Sequence, residues 1–252
     1  MEVGDIVLEE RPVVWGPKQL SPVCCVACCR PLLFCSIVWC SSCSLPLCSQ
    51  TCPLAVLHLP ECQMMSHARD LLILNSDKDV QQVYYFLTVL RCLWLRDNLP
   101  NQWAAVLKLV SNLEQRRGTR VYNFNQTYVV DTLEHFGVNQ FSELEIQTVC
   151  GIFDSNAFES SESSRAPCRG LYLMSSLINS SCLPNTRHYF KVSVLTTHYR
   201  QSDKRLLQAD GRLVVVATRP IYPGGEILGC YTHPRWATPI RQRHLLSTKY
   251  FK

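Results

Sequence analysis

Ten of the fifteen cysteines lie between residues 24 and 62, and this cluster constrains the fold more than any other feature of the chain. Eight residues within it form four ordered pairs with two or three residues between the members of each pair. The pairs are Cys25 with Cys28, Cys40 with Cys43, Cys48 with Cys52, and His58 with Cys62. A pair at this spacing can contribute two ligands to a tetrahedral Zn²⁺, so four pairs provide two closed sites. Closed sites are structural, and the pattern predicts a zinc-folded interaction module.

A disulfide framework is the alternative interpretation of the same cysteines. It requires an oxidising compartment, and we expect none because the N-terminal residues lack the basic start, apolar run and cleavage site of a secretory leader. Cys92, Cys150 and Cys230 also stand in apolar, unpaired contexts. Zinc is therefore favoured. Cys24 could replace Cys25 as a ligand, but only Cys25 has the two-residue spacing to Cys28.

Charge and composition exclude several classes of protein. Seven metal-bound thiolates and two Zn²⁺ ions reduce the formal net charge of +5 to about +2. Residues 20–65 contain a single lysine or arginine, Arg30, which argues against direct binding of nucleic acid. With 47% hydrophobic and 18% charged residues, the chain is globular. It lacks an apolar run near the ~18–20 residues of a membrane span, so we expect a nuclear and cytoplasmic protein.

The pattern of residues divides the chain into four regions. Residues 1–19 resemble extended strands, and residues 20–65 form the cysteine module, whose five prolines forbid long regular elements. Residues 66–153 have helical periodicity, including a capping box at Ser142 and Glu145. In residues 154–252, segments 189–195 and 212–218 are typical of strands, with a turn at Asp210 and Gly211. The helical spacing appears at two sets of positions: Val80, Val83, Tyr84, Leu87, Leu90 and Trp94; and Trp103, Val106, Leu107, Val110 and Leu113.

This order predicts the fold class and the organisation of the chain. An opening strand is separated from the later strands by the whole cysteine module and the helical region. The later strands are its expected sheet partners, so an insertion within a β-fold is indicated. We therefore predict an α+β protein in which a metal module and a helical segment interrupt a β-rich domain.

Two C-terminal segments carry a family resemblance. Residues 179–185, NSSCLPN, resemble the NHSCxPN motif of SET-domain lysine methyltransferases, and residues 224–231, GGEILGCY, resemble their GEEIxxxY motif. The cysteine ladder is similar in ligand order to a MYND zinc finger. A MYND finger that splits a SET domain is the SMYD architecture. Within that architecture, the sequence of this chain resembles arthropod SMYD-type proteins most. The resemblance implies SET strands at 1–19, a MYND finger at 20–65, a helical insert at 66–153 and a SET core at 154–252.

The resemblance also implies how the metal ligands are shared. The family's interleaved pairing places Cys25, Cys28, Cys48 and Cys52 on one zinc. The other zinc is held by Cys40, Cys43, His58 and Cys62. Each ion then joins segments that are distant in sequence, so metal binding contributes directly to folding.

The activity implied is methyl transfer from S-adenosylmethionine to a neutral lysine amine of a protein substrate. Tyr231 is the expected catalytic residue, although a buried core tyrosine is the plain alternative. Ser180 stands where the family has histidine, a position that recognises adenine largely through its backbone. Asn156 is also read as a turn residue and Ser176 as an ordinary strand serine. The expected cofactor-binding residues are Asn156, Ser176, Asn179, Ser180 and Phe251.

The resemblance is incomplete at both ends. Family members begin with a glycine-rich GxG turn and continue into a CxCxxC segment that binds a third zinc with the cysteine matching Cys182. Neither segment is present in the sequence, so we expect two zinc ions and a lysine channel that lacks one wall. The alternative function is a catalytically inactive SET and MYND scaffold, because MYND modules of the family dock proline-rich peptides of transcriptional regulators. We expect a monomer in either case.

Overall fold

The computed structural model describes residues 1–52, 54–160, 166–191, 193–194, 207–208, 211–232 and 236–246. Helices and strands both occur, which confirms the predicted α+β class. The strands are β1 (Ile6–Glu10), β2 (Val14–Pro17), β3 (Val38–Trp39), β4 (Pro46–Leu47), β5 (Phe158–Ser160), β6 (Cys168–Leu171), β7 (Asn179–Ser180), β8 (Thr186–Phe190), β9 (Ser193–Val194), β10 (Leu207–Gln208), β11 (Leu213–Ala217) and β12 (Leu228–Gly229). The helices are α1 (Leu59–Met65), α2 (Asp77–Asn98), α3 (Pro100–Val106), α4 (Leu113–Arg116), α5 (Arg120–Asn125), α6 (Asp131–His135), α7 (Glu143–Asn156) and α8 (Thr238–His244).

The chain divides into two compact units. One unit combines Met1–Pro12 with Tyr172–Lys252, and the other is the continuous segment Val13–Leu171. The first unit is thus interrupted in sequence by the second, which is the kind of insertion that the order of elements predicted. Its borders differ from the four predicted regions, because residues 13–19 and 154–171 belong with the finger and the helices.

The first unit is built around a three-stranded antiparallel sheet in the order β1, β11, β8. Leu213 of β11 pairs with Glu10 of β1 on one side and with Phe190 of β8 on the other. All five residues of β11 are buried, and its sequence LVVVA has the β-branched character of a central strand. The predicted turn residue Asp210 lies outside the described part of the chain.

The second unit contains the finger and most of the helices. Five of the six predicted apolar positions of α2 face its interior, and the sixth, Trp94, is half-buried. The five, at most 2% exposed, are Val80, Val83, Tyr84, Leu87 and Leu90. At the start of α7, the Ser142 hydroxyl accepts from the Glu145 amide and the Glu145 carboxylate accepts from the Ser142 amide, which is the predicted capping box. Among the described residues, none of the helices combines the length and the apolar character needed to cross a bilayer.

One predicted helix is broken by tertiary packing. The spacing from residue 103 to residue 113 indicates one continuous helix, but α3 ends at Val106 and the next helix begins at Leu113. Asn112, between them, adopts a left-handed conformation with φ of 50°. The backbone here approaches α7 at Gly151, where an added Cβ would lie 2.1 Å from the Ser111 carbonyl oxygen. The spacing of apolar residues along the chain does not indicate such a close approach.

Helix α2 also lies close to the sheet formed by β2, β6 and β5. Gly16 of β2 makes this possible, because a Cβ at that position would lie 2.8 Å from the Thr88 methyl and 3.1 Å from Nη1 of Arg91. The adjacent Trp15 carbonyl accepts a hydrogen bond of 2.5 Å from the same Nη1 atom. The strand and the helix are therefore joined by a hydrogen bond from the buried Arg91 guanidinium as well as by apolar packing.

Candidate functional sites

Two groups of potential metal ligands lie in the finger. Within each group the nitrogen or sulfur atoms are all within 4.8 Å of one another. The structure forms the same two interleaved groups that the family resemblance implied. The first group, here called cluster 1, is Cys25, Cys28, Cys48 and Cys52, and the second, cluster 2, is Cys40, Cys43, His58 and Cys62.

Each cluster contains one cysteine pair on a tight backbone turn of the same design. The Cys29 amide donates to the Cys25 carbonyl at 2.8 Å, and the Ser44 amide donates to the Cys40 carbonyl at 2.9 Å. Cys29 and Ser44, each following the second cysteine of its pair, have left-handed φ values of 58° and 60°. The turn thus closes after four residues and leaves both thiols of the pair in one cluster.

Distances within the clusters fit zinc. A tetrahedral Zn²⁺ with thiolate bonds of about 2.3 Å separates its sulfur ligands by about 3.8 Å. The Sγ atoms of Cys28 and Cys48 are 3.8 Å apart, and those of Cys40 and Cys62 are 3.7 Å apart. The all-sulfur and three-sulfur, one-nitrogen donor sets are both typical of structural zinc. The residues present therefore fit two such ions.

The ionisation of the thiols is consistent with a cation site. The hydrogen bond between Cys25 and Cys28 lowers the pKa of Cys25 and raises the pKa of Cys28. A bound cation would stabilise the thiolate forms of these residues.

His58 is oriented by a carboxylate behind it. Its Nδ1 atom lies 2.8 Å from Oε1 of Glu61, while its Nε2 atom lies 3.4 Å from the Cys43 sulfur. A carboxylate that accepts from Nδ1–H leaves Nε2 as the metal-binding nitrogen. Glu61 is fully buried and is itself paired with the Arg91 guanidinium. Sequence reasoning missed both partners, although Glu61 stands three residues after the histidine at the start of a helix.

All fifteen cysteines lie among the described residues and are free thiols, so the structure contains none of the disulfides of the alternative interpretation. Cys24 stays outside cluster 1, and its Sγ contacts the Tyr84 hydroxyl at 3.6 Å. Burial raises the pKa of Cys150 to about 12, as expected for a core thiol. Cys182 is exposed and Cys230 contacts the Thr232 carbonyl. In the part of the chain that the structure describes, neither belongs to a group of three or more potential ligands.

A second candidate site lies in the first unit, where the two C-terminal motifs meet. Strands β7 and β12 pair in parallel, with Leu228 opposite Asn179. On the other side, Asn185 clamps the same segment: its Nδ2 donates to the Glu226 carbonyl and its Oδ1 accepts from the Leu228 amide, both at 2.8 Å. The second motif is thereby held between the beginning and the end of the first.

Tyr231 is anchored at this junction by two contacts. Its hydroxyl donates to the Ile178 carbonyl at 2.6 Å, and its amide donates to the Ser180 hydroxyl at 3.1 Å. Burial raises the pKa of Tyr231, so its phenol remains a protonated donor at neutral pH. Asn179 is exposed and its Nδ2 donates to the Glu226 carboxylate at 2.7 Å. The structure thus brings Tyr231, Asn179 and Ser180 together.

The other predicted cofactor residues belong to different elements of the fold. Ser176 is half-buried in the 3₁₀ turn Ser175–Leu177, and its amide donates to the Tyr172 carbonyl at 3.0 Å. Asn156 ends α7 in the second unit, where its Nδ2 donates to the Val110 and Ile152 carbonyls. Phe251 lies outside the described residues.

Three carboxylate or amide side chains of the first unit support this region and were not anticipated. The carboxylate of Glu10 accepts from the Met174 and Ser175 amides, each at 2.9 Å, and so fixes the turn that carries Ser176. Asn185 and Glu226 stood within the recognised motifs, so their importance could be read from the sequence while their roles could not. Glu10 offered no local signal, because its partners are more than 160 residues away.

Comparison with known proteins defines the class. The family model described as SET domain matches residues 54–232, more than half of the chain, so the chain belongs to the SET domain family. SET domain-containing protein SmydA-8, isoform A, from Drosophila melanogaster is 28% identical to it over 267 residues. That similarity covers 98% of this chain and confirms the predicted resemblance to arthropod SMYD-type proteins. The chain spans 50% of the relative's length.

A SET domain implies the use of S-adenosylmethionine, and the first unit offers groups suited to it. The exposed Asn179 side chain provides an amide whose orientation is fixed by Glu226, and Ser180 next to it provides a hydroxyl. Amide and hydroxyl groups suit the charged amino-acid end and the ribose of that cofactor. The residues of the β7–β12 junction therefore fit the polar part of the cofactor.

Proposed function

We propose that this chain is an S-adenosylmethionine-dependent protein-lysine N-methyltransferase of the SET and MYND type. Its expected substrates are histones or other nuclear and cytosolic proteins involved in transcriptional regulation. One observation supports this most directly. In a chain of the SET family, the parallel β7–β12 pair brings the Tyr231 hydroxyl to the carbonyl immediately before Asn179.

Bound S-adenosylmethionine supplies a sulfonium methyl group with a good leaving group. The protein therefore has to provide position and a suitable electrostatic field. Tyr231 is suited to positioning because its phenol is protonated and its O–H direction is fixed by Ile178. The phenol oxygen can accept a hydrogen bond from the substrate amine, which orients the amine lone pair towards the methyl group.

Asn179 has a related role on the cofactor side. Its Nδ2 donates to Glu226, which sets the orientation of the amide and directs Oδ1 away from that carboxylate. We infer that Asn179 contacts the amino-acid or ribose end of the cofactor, and that the Ser180 backbone and the Phe251 ring contact its adenine. Ser176 and Asn156 are the further residues expected to take part in cofactor binding. The two zinc ions of the finger are structural in this proposal, because each donor set supplies all four ligands.

The test compares two tyrosines of the same C-terminal segment. Wild type, Tyr231→Phe and Tyr222→Phe are incubated with labelled S-adenosylmethionine and with histones or a total protein lysate. Tyr222 is 76% exposed and serves as the matched control. We expect labelled methyl-lysine with wild type and Tyr222→Phe, and its loss with Tyr231→Phe. Failure of wild type to bind millimolar S-adenosylmethionine in calorimetry would remove the enzyme proposal.

An inactive scaffold is the second candidate, and exposed apolar side chains on the finger favour it. Leu33 is 73% exposed and Val56 is 70% exposed, and Leu59 and Phe34 are also solvent-accessible. Such residues suit docking of a proline-rich peptide from a transcriptional regulator. The scaffold is a monomer in this proposal, located in the nucleus and cytoplasm.

Binding of a fluorescent proline-rich peptide discriminates the two candidates. We expect Leu33→Asp to weaken binding and Leu183→Asp, an equally exposed leucine of the first unit, to leave it unchanged. Peptide binding without methylation of any lysate protein would favour the scaffold over the enzyme. Fractionation of cells that express the tagged chain tests its location.

A further inference from the structure

The Arg91 guanidinium is buried, and it contacts one group that holds a ligand of cluster 2 and one group within the ligand turn of cluster 1. Arg91 lies in the middle of α2 and is only 4% exposed. Its Nε donates to Oε2 of Glu61 at 2.7 Å, and its Nη2 contacts Oε1 of the same carboxylate. The Nη2 atom also donates to the Val26 carbonyl at 2.8 Å. One side chain is thus in contact with two different parts of the finger.

Those two parts belong to different clusters. Val26 lies between the cluster 1 ligands Cys25 and Cys28, within their tight turn, so its carbonyl moves with that turn. Glu61 holds the imidazole of the cluster 2 ligand His58. The route from one cluster to the other therefore consists of three consecutive buried contacts: Val26 to Arg91, Arg91 to Glu61, and Glu61 to His58.

The energetic consequence follows from burial. A buried ion pair is tolerated only when its geometry is good and its remaining donors are satisfied. Loss of the ion at cluster 2 frees His58 and loosens Glu61, which leaves Arg91 poorly compensated. Loss of the ion at cluster 1 releases the turn that presents the Val26 carbonyl, with the same effect on Arg91. Removal of either ion thus weakens the network that supports the other cluster.

We propose that the two clusters bind zinc cooperatively and that Arg91 is the positioning residue that couples them. This inference rests on the zinc-binding part of the proposed function and is independent of methyl transfer. Coupling between linked sites is typically about 5- to 150-fold in affinity. Occupancy of one cluster should therefore raise the zinc affinity of the other by a factor in that range.

The experiment is native mass spectrometry of the full chain equilibrated in buffers of defined free zinc. It counts molecules with no, one or two ions at each zinc concentration. For independent sites, the one-zinc form reaches about half of all molecules, or more when the affinities differ, whereas positive coupling keeps it scarce. In wild type we expect the one-zinc form to stay well below half throughout. A wild-type maximum no lower than that of the Arg91 variants described below would overturn the proposal.

Variants identify the coupling residue. The double substitution Arg91→Met with Glu61→Gln removes both charges together, so neither remains buried without a partner, and the introduced glutamine can still accept from His58. We expect its one-zinc form to rise to half or more. Arg96→Met, on the same helix but partly exposed and paired with Asp97 and Glu145, should behave as wild type.

If the double variant does not fold, Arg91→Lys is measured instead. Lysine keeps a positive charge next to Glu61 but cannot make all the contacts of the guanidinium. The fraction of molecules with one zinc should therefore rise again. Cooperative loading that persists without Arg91 would overturn the assignment of the coupling to this residue. Absence of bound zinc in wild type would contradict the zinc sites themselves, whereas independent loading of two ions would contradict the coupling alone.

Discussion

The hydroxyl of Tyr231 donates a 2.6 Å hydrogen bond to the carbonyl of Ile178, the residue directly before Asn179. This contact depends on the parallel register in which Gly229 lies opposite Ser180. It joins the two motifs that resemble those of SET methyltransferases. The position of the phenol is therefore set by backbone pairing.

Tyr231→Phe should lower the rate of methyl transfer by about 100-fold or more, because one oriented polar group at the reacting centre is lost. The affinity for S-adenosylmethionine should change little, since the Asn179 side chain remains in place. The stability should fall by about 1 kcal/mol with the lost hydrogen bond. Single-turnover kinetics, calorimetry and urea denaturation separate the three effects. A variant that loses cofactor affinity in parallel with its rate would contradict the positioning role.

The pH dependence of methyl transfer should follow the substrate amine. Only a neutral lysine can attack the methyl group, so its reactive fraction increases as the pH rises towards about 10. Burial raises the pKa of Tyr231, so its phenol remains protonated over the same range. The rate should increase from pH 7 to pH 9 without a decline from phenol ionisation. A fall within this range, while circular dichroism remains constant, would contradict the protonated phenol.

Asn185→Ala should destabilise the junction of the two motifs. It removes the side-chain partners of the Glu226 carbonyl and the Leu228 amide. Each backbone group left unpaired costs about 1–3 kcal/mol when it is buried, and less here, where the Leu228 bond is partly buried and the Glu226 bond is exposed. Urea denaturation should show a clear loss for Asn185→Ala, while the exposed Asn139→Ala serves as the control. Equal stability of the two variants would argue against the clamp.

Gly151→Ala should destabilise the second unit by more than about 3 kcal/mol or prevent folding. The new methyl group would meet the Ser111 carbonyl at 2.1 Å, a contact with backbone that cannot easily move. Thr148→Ala, one turn earlier on α7, provides the control because it introduces the same residue at a less crowded position. Thermal unfolding of both variants would measure the difference. A small change for Gly151→Ala would contradict the close packing.

The purified chain should contain two equivalents of zinc by elemental analysis. Cys43→Ser should reduce this to one equivalent or fewer, because it removes a ligand from cluster 2. Cys35→Ser changes an exposed finger cysteine outside both clusters and should leave two equivalents. Removal of the metal by a chelator should unfold the finger, since its binding energy is folding energy. Fewer than two equivalents in wild type would contradict the paired zinc sites.

Much of this fold could be predicted, because it depends on residues that are close together in the sequence. The spacing of Cys25 and Cys28 identifies a metal-binding turn, and the β-branched run from Leu213 to Ala217 identifies a central strand. The capping box at Ser142 likewise depends only on neighbouring residues. The overall α+β class followed from these elements taken in order.

Long-range packing was not predictable in the same way. The α2 sequence gives Arg91 no distinguishing feature, and only the structure shows that it pairs with Glu61, 30 residues earlier. The helix break before Asn112 arises from the approach to Gly151, which has no periodic signature. The contribution of Glu10 to the turn that carries Ser176 also depends on partners far away in sequence.

The pairing of β1 with β11 has a consequence during synthesis on the ribosome. Leu8 can pair with Val215 only after roughly 200 further residues have been added. At ordinary translation rates this takes on the order of ten seconds or more. Strand β1 therefore remains without its partner strand while the intervening segment acquires its own structure. Conditions that slow elongation or deplete chaperones should consequently reduce the yield of soluble protein.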